Sequence, residues 1–592
     1  MLGIKINGEF LDIAPGLQLE LESQNPLLEF NDEISGEFSL PFEVASSSKN
    51  LRLLNYAGLL QKKVGLIGIP SELYDNGLQV SVGKIKIEKP THNLNSTGEG
   101  KISCYYLTGS SSFFQDIKDK KLRDIDVGGD RSFDWDDFDV NGAGFWGHIH
   151  AVLNAGTGYE TSNYDYAFFP VINKGWPSAI FEFDEVMNYV ALGGSGGPEF
   201  LPGGFLNIPA NRIIPFPYLK YIMIKAAEFV GWKIDGDIFN DVDFCKVTMI
   251  NFRAINWAGY RVVLPDPYRN DPIDPVIFNL KDHLPDIMIS RFFIQLRKRF
   301  AWWYEFDKVN KIIRIKKLAN VVNVGVKNFT KYSNPIIIKK VNQEKKIYAL
   351  KNVFIGDIAD GAPDFKTVSL QGFVNEFADL PAPDETMYAF VYLVISENNF
   401  YICIQNVTTA AWEWVFYTYN IYDYLPADST DEITTEATTV GVEYYNPYLD
   451  LIPRIDLQGQ WFGRDENEAE WSIHLAFYHG LKDNKAFDPY PYASSHVYDS
   501  NFNLVANWAL TFECKKSDGT DVGLYALSWK PILDLLQSPE EFEANLNLPL
   551  YEYLKLNFGD QIVIGGVKML IKVLKPKIPY SKTIAIETVR II

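Results

Sequence analysis

Apolar and polar residues alternate one by one along much of the first hundred positions. Leu17, Leu19 and Leu21 are interleaved with Gln18, Glu20 and Glu22, and Leu78, Val80 and Val82 with Gln79 and Ser81. Strand side chains point alternately to opposite faces, so this spacing specifies strands with one buried and one wet face. Pro15-Gly16, Asn25-Pro26 and Asp75-Asn76-Gly77 break the runs at short intervals. Short strands joined by tight turns reverse direction, which predicts an antiparallel sandwich or barrel as an N-terminal β domain over residues 1–130.

The following stretch changes character. DWDDFDVNGAGFWG at 134–147, GGSGGPEFLPGG at 193–204, and Pro202, Pro209, Pro215 and Pro217 make residues 131–215 a loop-rich connecting region. After Pro217, Leu219, Ile222, Met223, Ala226 and Phe229 recur at helical spacing while Lys220, Lys225 and Glu228 face away, and Gly231 supplies the stop. WKIDGDIFNDVDFCKVTMIN then reads as a hairpin around Asp235-Gly236. The device recurs: Ile289, Phe292, Phe293, Leu296 and Phe300 form a second apolar stripe, followed by WWYEFDKVNKIIRIKK, two extended runs about a turn at 307–310. Residues 216–355 are thus expected to hold two amphipathic helix-plus-hairpin units.

YAFVYLVIS, FYICIQNV and WEWVFYTYNIY read as strands within an inserted β domain at 356–504, with PADSTDEITTEATT (426–439) as a polar linker and DPYPYASSHVYDS as a closing loop. In the C-terminal β domain, 505–592, Gly565-Gly566 turns DQIVI against VKMLIKVLK. The fold class expected is mainly β with some α, an α+β chain of several small antiparallel barrels or sandwiches. The length of 592 residues suits three to five domains, and 33 Tyr, 40 Phe and 13 Trp supply ring surface that a disordered chain lacks.

Charge excludes some functions. Lys plus Arg number 55 against 75 Asp plus Glu, and a net −20 repels phosphate backbones, which disfavours sequence-specific nucleic-acid binding. The distribution is uneven. Residues 291–346 carry 15 bases and 3 acids, whereas 357–499 carry 24 acids and 5 bases. Blocks of net +12 and −19 suggest either head-to-tail contact between subunits or separate solvated faces. Cys104, Cys245, Cys403 and Cys514 form no CxxC pair and are expected to be reduced and buried. MLGIKINGEF has no secretion-signal pattern, and no run approaches a membrane span. Synthesis in a cytoplasm without membrane insertion is the expectation.

Several motifs resemble sites. Gly193-Gly194-Ser195-Gly196-Gly197 matches the nucleophile elbow G-x-S-x-G, yet prolines and glycines follow where a helix should. Gly142-Ala-Gly144-Phe-Trp-Gly147 spells GxGxxG, but carboxylates precede it where a strand should lead to a phosphate. Asp137, Asp139 and Asn141 before Gly142 reproduce half of a calcium loop, hard oxygens on alternate residues before a sharp turn; the twelfth position is His148 in place of a bidentate Glu. A calcium site and an acidic surface turn both remain open there, and no cofactor is expected. His148 and His150 would share a face on a strand, while His92, His283, His474, His479 and His496 are scattered as surface or loop histidines. Trp461 and Trp471 beside Asp465, Glu466, Glu468 and Glu470 could bind sugar, with Trp412 and Trp414 as further glycan platforms; core tryptophans flanking an acidic turn are the plainer reading.

Three stretches resemble a known group. PLLEFNDEISGEFSLPFEVASSSKNLRLLNY (26–56), LYDNGLQVSVGKIKIEK (73–89) and YLTGSSSFFQDIKDKKLRDID (106–126) look like the N-terminal region of virion proteins from phages and prophages of Bacteroidetes-type hosts. LPDIMISRFFIQLRKRFAWWYEFDKVNKIIRIKK (284–317) is similar to the helix-plus-hairpin unit of tail hub proteins, including the contractile-phage baseplate hub family. The resemblance implies a structural protein without catalytic residues. Copies would form a homo-oligomeric ring, a trimer or hexamer, that contacts tube, spike and fibre proteins and lets DNA pass. A virion receptor- or glycan-binding module is the alternative, and a tail-associated glycan hydrolase a third.

Overall fold

The computed structural model describes residues 1–25, 28, 37–56, 68–91, 100–108, 110–134, 144–173, 186–188, 190–192, 198–200, 213–253, 255, 275–307, 310–322, 326–333, 341–342, 346–352, 369–374, 376–387, 390–394, 399–405, 411–419, 424, 426, 429–444, 451–455, 473–482, 490–496, 507–516, 518–537, 540–556 and 558–590. The protein is β-rich, with several separate sheets and few helices among these residues.

The alternation at the start does produce strands. Leu2–Ile6, Ile69–Asp75, Leu78–Thr91 and Lys101–Thr108 pair in antiparallel succession, and their inward residues, among them Ile4, Leu73, Ile85, Ile102 and Tyr106, form one core. Among the described residues this sheet does not close on itself. Leu19–Gln24 pairs on one side with Glu37–Ser39 and on the other with Val567–Lys575, in register Ser23 with Leu574 and Gln24 with Val573. Through that joint the two ends of the chain share a 15-stranded sheet. Tyr580 N donates to the Asp75 carboxylate at 2.9 Å across the same boundary. Gly565 and Gly566, both at positive φ, form the expected turn between Gln561–Ile564 and Val567–Lys575.

The helix Ile289–Phe300 sits in the largest core, with all five residues of its stripe buried. Full burial of a large apolar side chain contributes about 1.5–3 kcal/mol, so this stripe is a principal anchor. The predicted hairpin follows it, Trp302–Asp307 against Ile312–Lys317. The first unit departs from expectation. Its helix Leu219–Phe229 forms and ends before Gly231 at positive φ. The hairpin about Asp235-Gly236 does not form. Lys233–Asp235 instead pairs in parallel with Ile312–Lys317, and a 3-10 turn follows it. Gly236, at φ 132° and ψ 172°, continues the chain away from the strand instead of reversing it. Lys220 also departs from the outward face: it is buried and donates to Phe239 O and the Glu160 carboxylate.

Three stretches expected to be loop or linker are structured. Phe145–Asn154 is a helix inside the loop-rich region, because Phe145, Ile149, Val152 and Leu153 fall on one helical face and are buried. The stretch assigned to a linker forms strands Asp431–Thr435 and Ala437–Thr439, where β-branched threonines pack well on a pleated surface. Tyr490–Ser494, expected in a closing loop, is a fully buried strand. Ser369–Val374, Phe390–Val394, Asn399–Gln405 and Trp412–Tyr419 make a sheet of their own. Later strands of the same acidic segment pair outside it, Ile473–Lys482 with Val247–Ile250 and Leu451–Ile455 with Val171–Asn173. No helix among the described residues is long and apolar enough to cross a membrane.

Candidate functional site

The oppositely charged blocks meet within one chain. Arg291, on the helix Ile289–Phe300, forms a bidentate pair with Glu436, Nε at 2.5 Å and Nη2 at 2.7 Å. Gln295 accepts from Glu436 N at 2.8 Å through Oε1, and its carbonyl accepts from Thr435 Oγ1 at 3.1 Å. Lys346 reaches Asp431, and Lys351, just beyond the basic block, pairs with Glu432. Part of the charge segregation read from sequence is therefore neutralised internally, where a planar guanidinium fork fits a carboxylate.

The described residues include only some of the candidate site residues. Asp137, Asp139 and Asn141 lie outside the described residues, as do Trp461, Trp471 and the acids at 465–470. His148 and His150 lie on a helix and not on a strand, so two positions of separation turn them about 200° apart. His148 stacks on Phe133 with centroids 4.2 Å apart, and its Nε2 lies 2.6 Å from Tyr166 Oη. Burial, helped by the Arg131 charge, pushes its pKa down to about 4. Among the described residues no group of three His, Cys, Asp or Glu is placed to hold a metal ion. The strands flanking 193–197, Val190–Leu192 and Pro198–Phe200, pair antiparallel. A return strand stands where the nucleophile elbow requires a helix.

Trp412 and Trp414 share one face of their strand and are half-buried. Trp414 donates to Pro381 O at 2.7 Å and meets Tyr392 edge-on at 5.3 Å, so its polar edge is committed internally. Of the histidines expected at the surface or in loops, His283, His474 and His496 are buried in the core, His479 is half-buried, and His92 lies outside the described residues. Cys104, Cys245 and Cys403 are free and buried as expected, while Cys514 is partly exposed.

No family model matches this chain, and no curated protein matches it either. Among solved structures, the crystal structure of the prophage MuSo2 43 kDa tail protein from Shewanella oneidensis superposes with a TM-score of 0.32 at 7% identity, covering 99% of this chain and 95% of that one. A superposition of that quality does not establish a shared fold.

One feature that pattern reading missed is a shallow aromatic cleft open to solvent. Phe244, Phe300, Trp302 and Trp508 form its apolar walls, and Asp241, Lys317 and Ser528 its polar part. Phe300 stacks on Trp302 with centroids 4.5 Å apart, and Phe477 braces Trp508 edge-on at 4.9 Å. Leu524, Leu527 and Ser528 enter from a helix whose turn Tyr525–Trp529 is wound as a π-helix, a geometry frequent at functional sites. The lining spans positions 238 to 528. The paired Trp302-Trp303 was visible in sequence, but its partners could be found only by folding.

Proposed function

We propose that this chain is a structural protein of a bacteriophage tail, a component of the hub or baseplate. Copies form a closed ring of three or six, join the tail tube to a spike or fibres, and leave a lumen through which DNA passes. Such a protein is made in the host cytoplasm, resides in the virion tail, and needs neither catalysis nor a cofactor. The observation that carries this reading is the helix-plus-hairpin at 284–317. The segment that resembles tail hub proteins folds as helix Ile289–Phe300 followed by paired strands Trp302–Asp307 and Ile312–Lys317, with its apolar stripe in the core.

The internal ion pairs modify the assembly picture. With Arg291, Lys346 and Lys351 engaged by acids of the same chain, ring closure rests on shape and apolar contact more than on charge between blocks. Light scattering in moderate and in high salt tests this. A mass of three or six 67.4 kDa chains in both is expected, and a single chain in both would overturn the ring.

A second reading, a receptor- or glycan-binding module of the virion, is favoured by Trp412 and Trp414 on one face of the sheet made by residues 369–419. A polysaccharide screen in which Trp412→Ala abolishes binding would support it.

A further inference from the structure

We propose that Lys220 and Cys245 form a modification site, at which hydrogen peroxide links the lysine nitrogen to the cysteine sulfur through one inserted oxygen atom. The site rests on side-chain geometry alone and is independent of the assembly role above.

Three chain segments build it. Lys220 is buried on the helix Leu219–Phe229. Cys245 lies in the 3-10 turn Phe244–Lys246 as a free thiol, 9% exposed, and the neighbouring Val242 is open to solvent, so peroxide has a short path. Glu160 comes from the short helix Tyr159–Ser162. Gly158, at φ 97°, lets that segment approach, since a Cβ there would lie 3.2 Å from Cys245 O. An ammonium has three N–H groups. Lys220 directs them to the Glu160 carboxylate, to Phe239 O and, at 3.5 Å, to Cys245 Sγ. The thiol donates to the same Phe239 O at 3.8 Å, so one carbonyl holds both reacting groups. Cys104 sits instead in an apolar core, and Cys403 donates to Asp384 O at 3.9 Å.

The 3.5 Å separation favours an inserted oxygen, because a direct nitrogen–sulfur bond would have to close more of the gap. One peroxide oxidises the thiol to sulfenic acid and leaves as water, the first rung of the cysteine ladder. A second transfers oxygen to the lysine amine, giving a hydroxylamine and a second water. The hydroxylamine oxygen then attacks the sulfenic sulfur. The new S–O bond replaces the S–OH bond, and the departing hydroxide takes the hydroxylamine proton as a third water. Sulfur and nitrogen each lose two electrons, and each peroxide gains two. The ammonium must first shed a proton, and Glu160, its side chain 62% exposed, connects the buried nitrogen to solvent. Burial raises the Cys245 thiol pKa against the opposing Lys220 charge, which makes the first step slow.

Mass spectrometry of the full chain, purified in reductant and then treated with hydrogen peroxide, reads the bridge after tryptic digestion without reductant. Residues 213–225, uncut after Lys220, should appear joined to residues 234–246, with about 14 Da added to their summed mass for one oxygen gained and two hydrogens lost. Dithiothreitol should release both peptides and restore cleavage after Lys220. Cys245→Ser should abolish the joined pair. Lys220→Met should abolish it as well and drive Cys245 on to sulfinic acid, a gain of about 32 Da. Glu160→Gln, an exposed change, should slow bridging severalfold, and it carries the test if Lys220→Met fails to fold. Cys245 recovered from the treated wild-type chain as thiol or sulfinic acid with no joined pair would overturn the site. So would a bridging rate unchanged by Glu160→Gln, or a joined pair about 2 Da below its summed mass, the signature of a direct nitrogen–sulfur bond.

Discussion

Mild acid should open one particular part of this protein. Half-buried His479 packs against buried His496: His479 Nε2 lies 3.0 Å from Ser494 Oγ and 3.1 Å from His496 O, while His496 approaches Ser495 Oγ at 2.7 Å and Thr511 Oγ1 at 3.1 Å. Burial pushes both imidazoles down to about 3, and the Lys246 and Lys482 charges press His479 the same way. An unfolded histidine titrates near 6.5. Both states are therefore neutral above that pH, and the stability contributed by the neutral rings is complete there. As pH falls below 6.5 the opened state takes up protons first, and stability is lost progressively down to about pH 3. At pH 5.5 the loss is about 1.4 kcal/mol per histidine, so about 3 kcal/mol for the pair, from 1.36 kcal/mol per pKa unit.

That corresponds to roughly a hundredfold rise in opening of the segments 473–482 and 490–496. Hydrogen exchange read by mass spectrometry at pH 7.5 and 5.5, corrected for intrinsic rates, measures it locally and does not require the whole chain to unfold in two states. His496→Gln should reduce the change to about tenfold. Protection that stays within threefold between the two pH values, or a pH response unaltered in the variant, would refute the assignment of buried neutral imidazoles.

Other perturbations have equally local causes. Gly236→Ala should cost about 3 kcal/mol or more in thermal unfolding, because the residue occupies a backbone region open essentially to glycine and an added Cβ would lie 2.0 Å from Ile315 O. Asn188→Ala should cost about 2–4 kcal/mol by the same measurement, since its buried amide donates to Phe169 O and Ile214 O and accepts from Ile214 N. Glu436→Gln should cost about 1–3 kcal/mol and raise exchange in the helix Ile289–Phe300, because the Arg291 guanidinium loses its bidentate carboxylate.

Much of the β architecture was legible where one local rule governed each residue. Alternation located the N-terminal strands, the Gly565-Gly566 pair fixed a hairpin, and helical spacing located both Leu219–Phe229 and Ile289–Phe300. Non-local choices were not legible. Asp235-Gly236 is a good turn dipeptide, yet a parallel partner more than seventy residues away captured the strand. Lys220 carries a charge and was placed outside, yet Phe239 O and Glu160 make its burial tolerable. The stretch 430–439 has linker composition, and only the neighbouring helix Ile289–Phe300 reveals Thr435, Thr438 and Thr439 as a buried seam. The aromatic cleft was invisible for the same reason, since Asp241, Lys317 and Trp508 belong to different parts of the chain.

Electron microscopy of the purified full-length protein tests the assembly role most directly. The account predicts class averages of closed rings with threefold or sixfold symmetry and an axial opening wide enough for duplex DNA. Isolated single chains at every concentration tried, or closed particles without an axial opening, would contradict it.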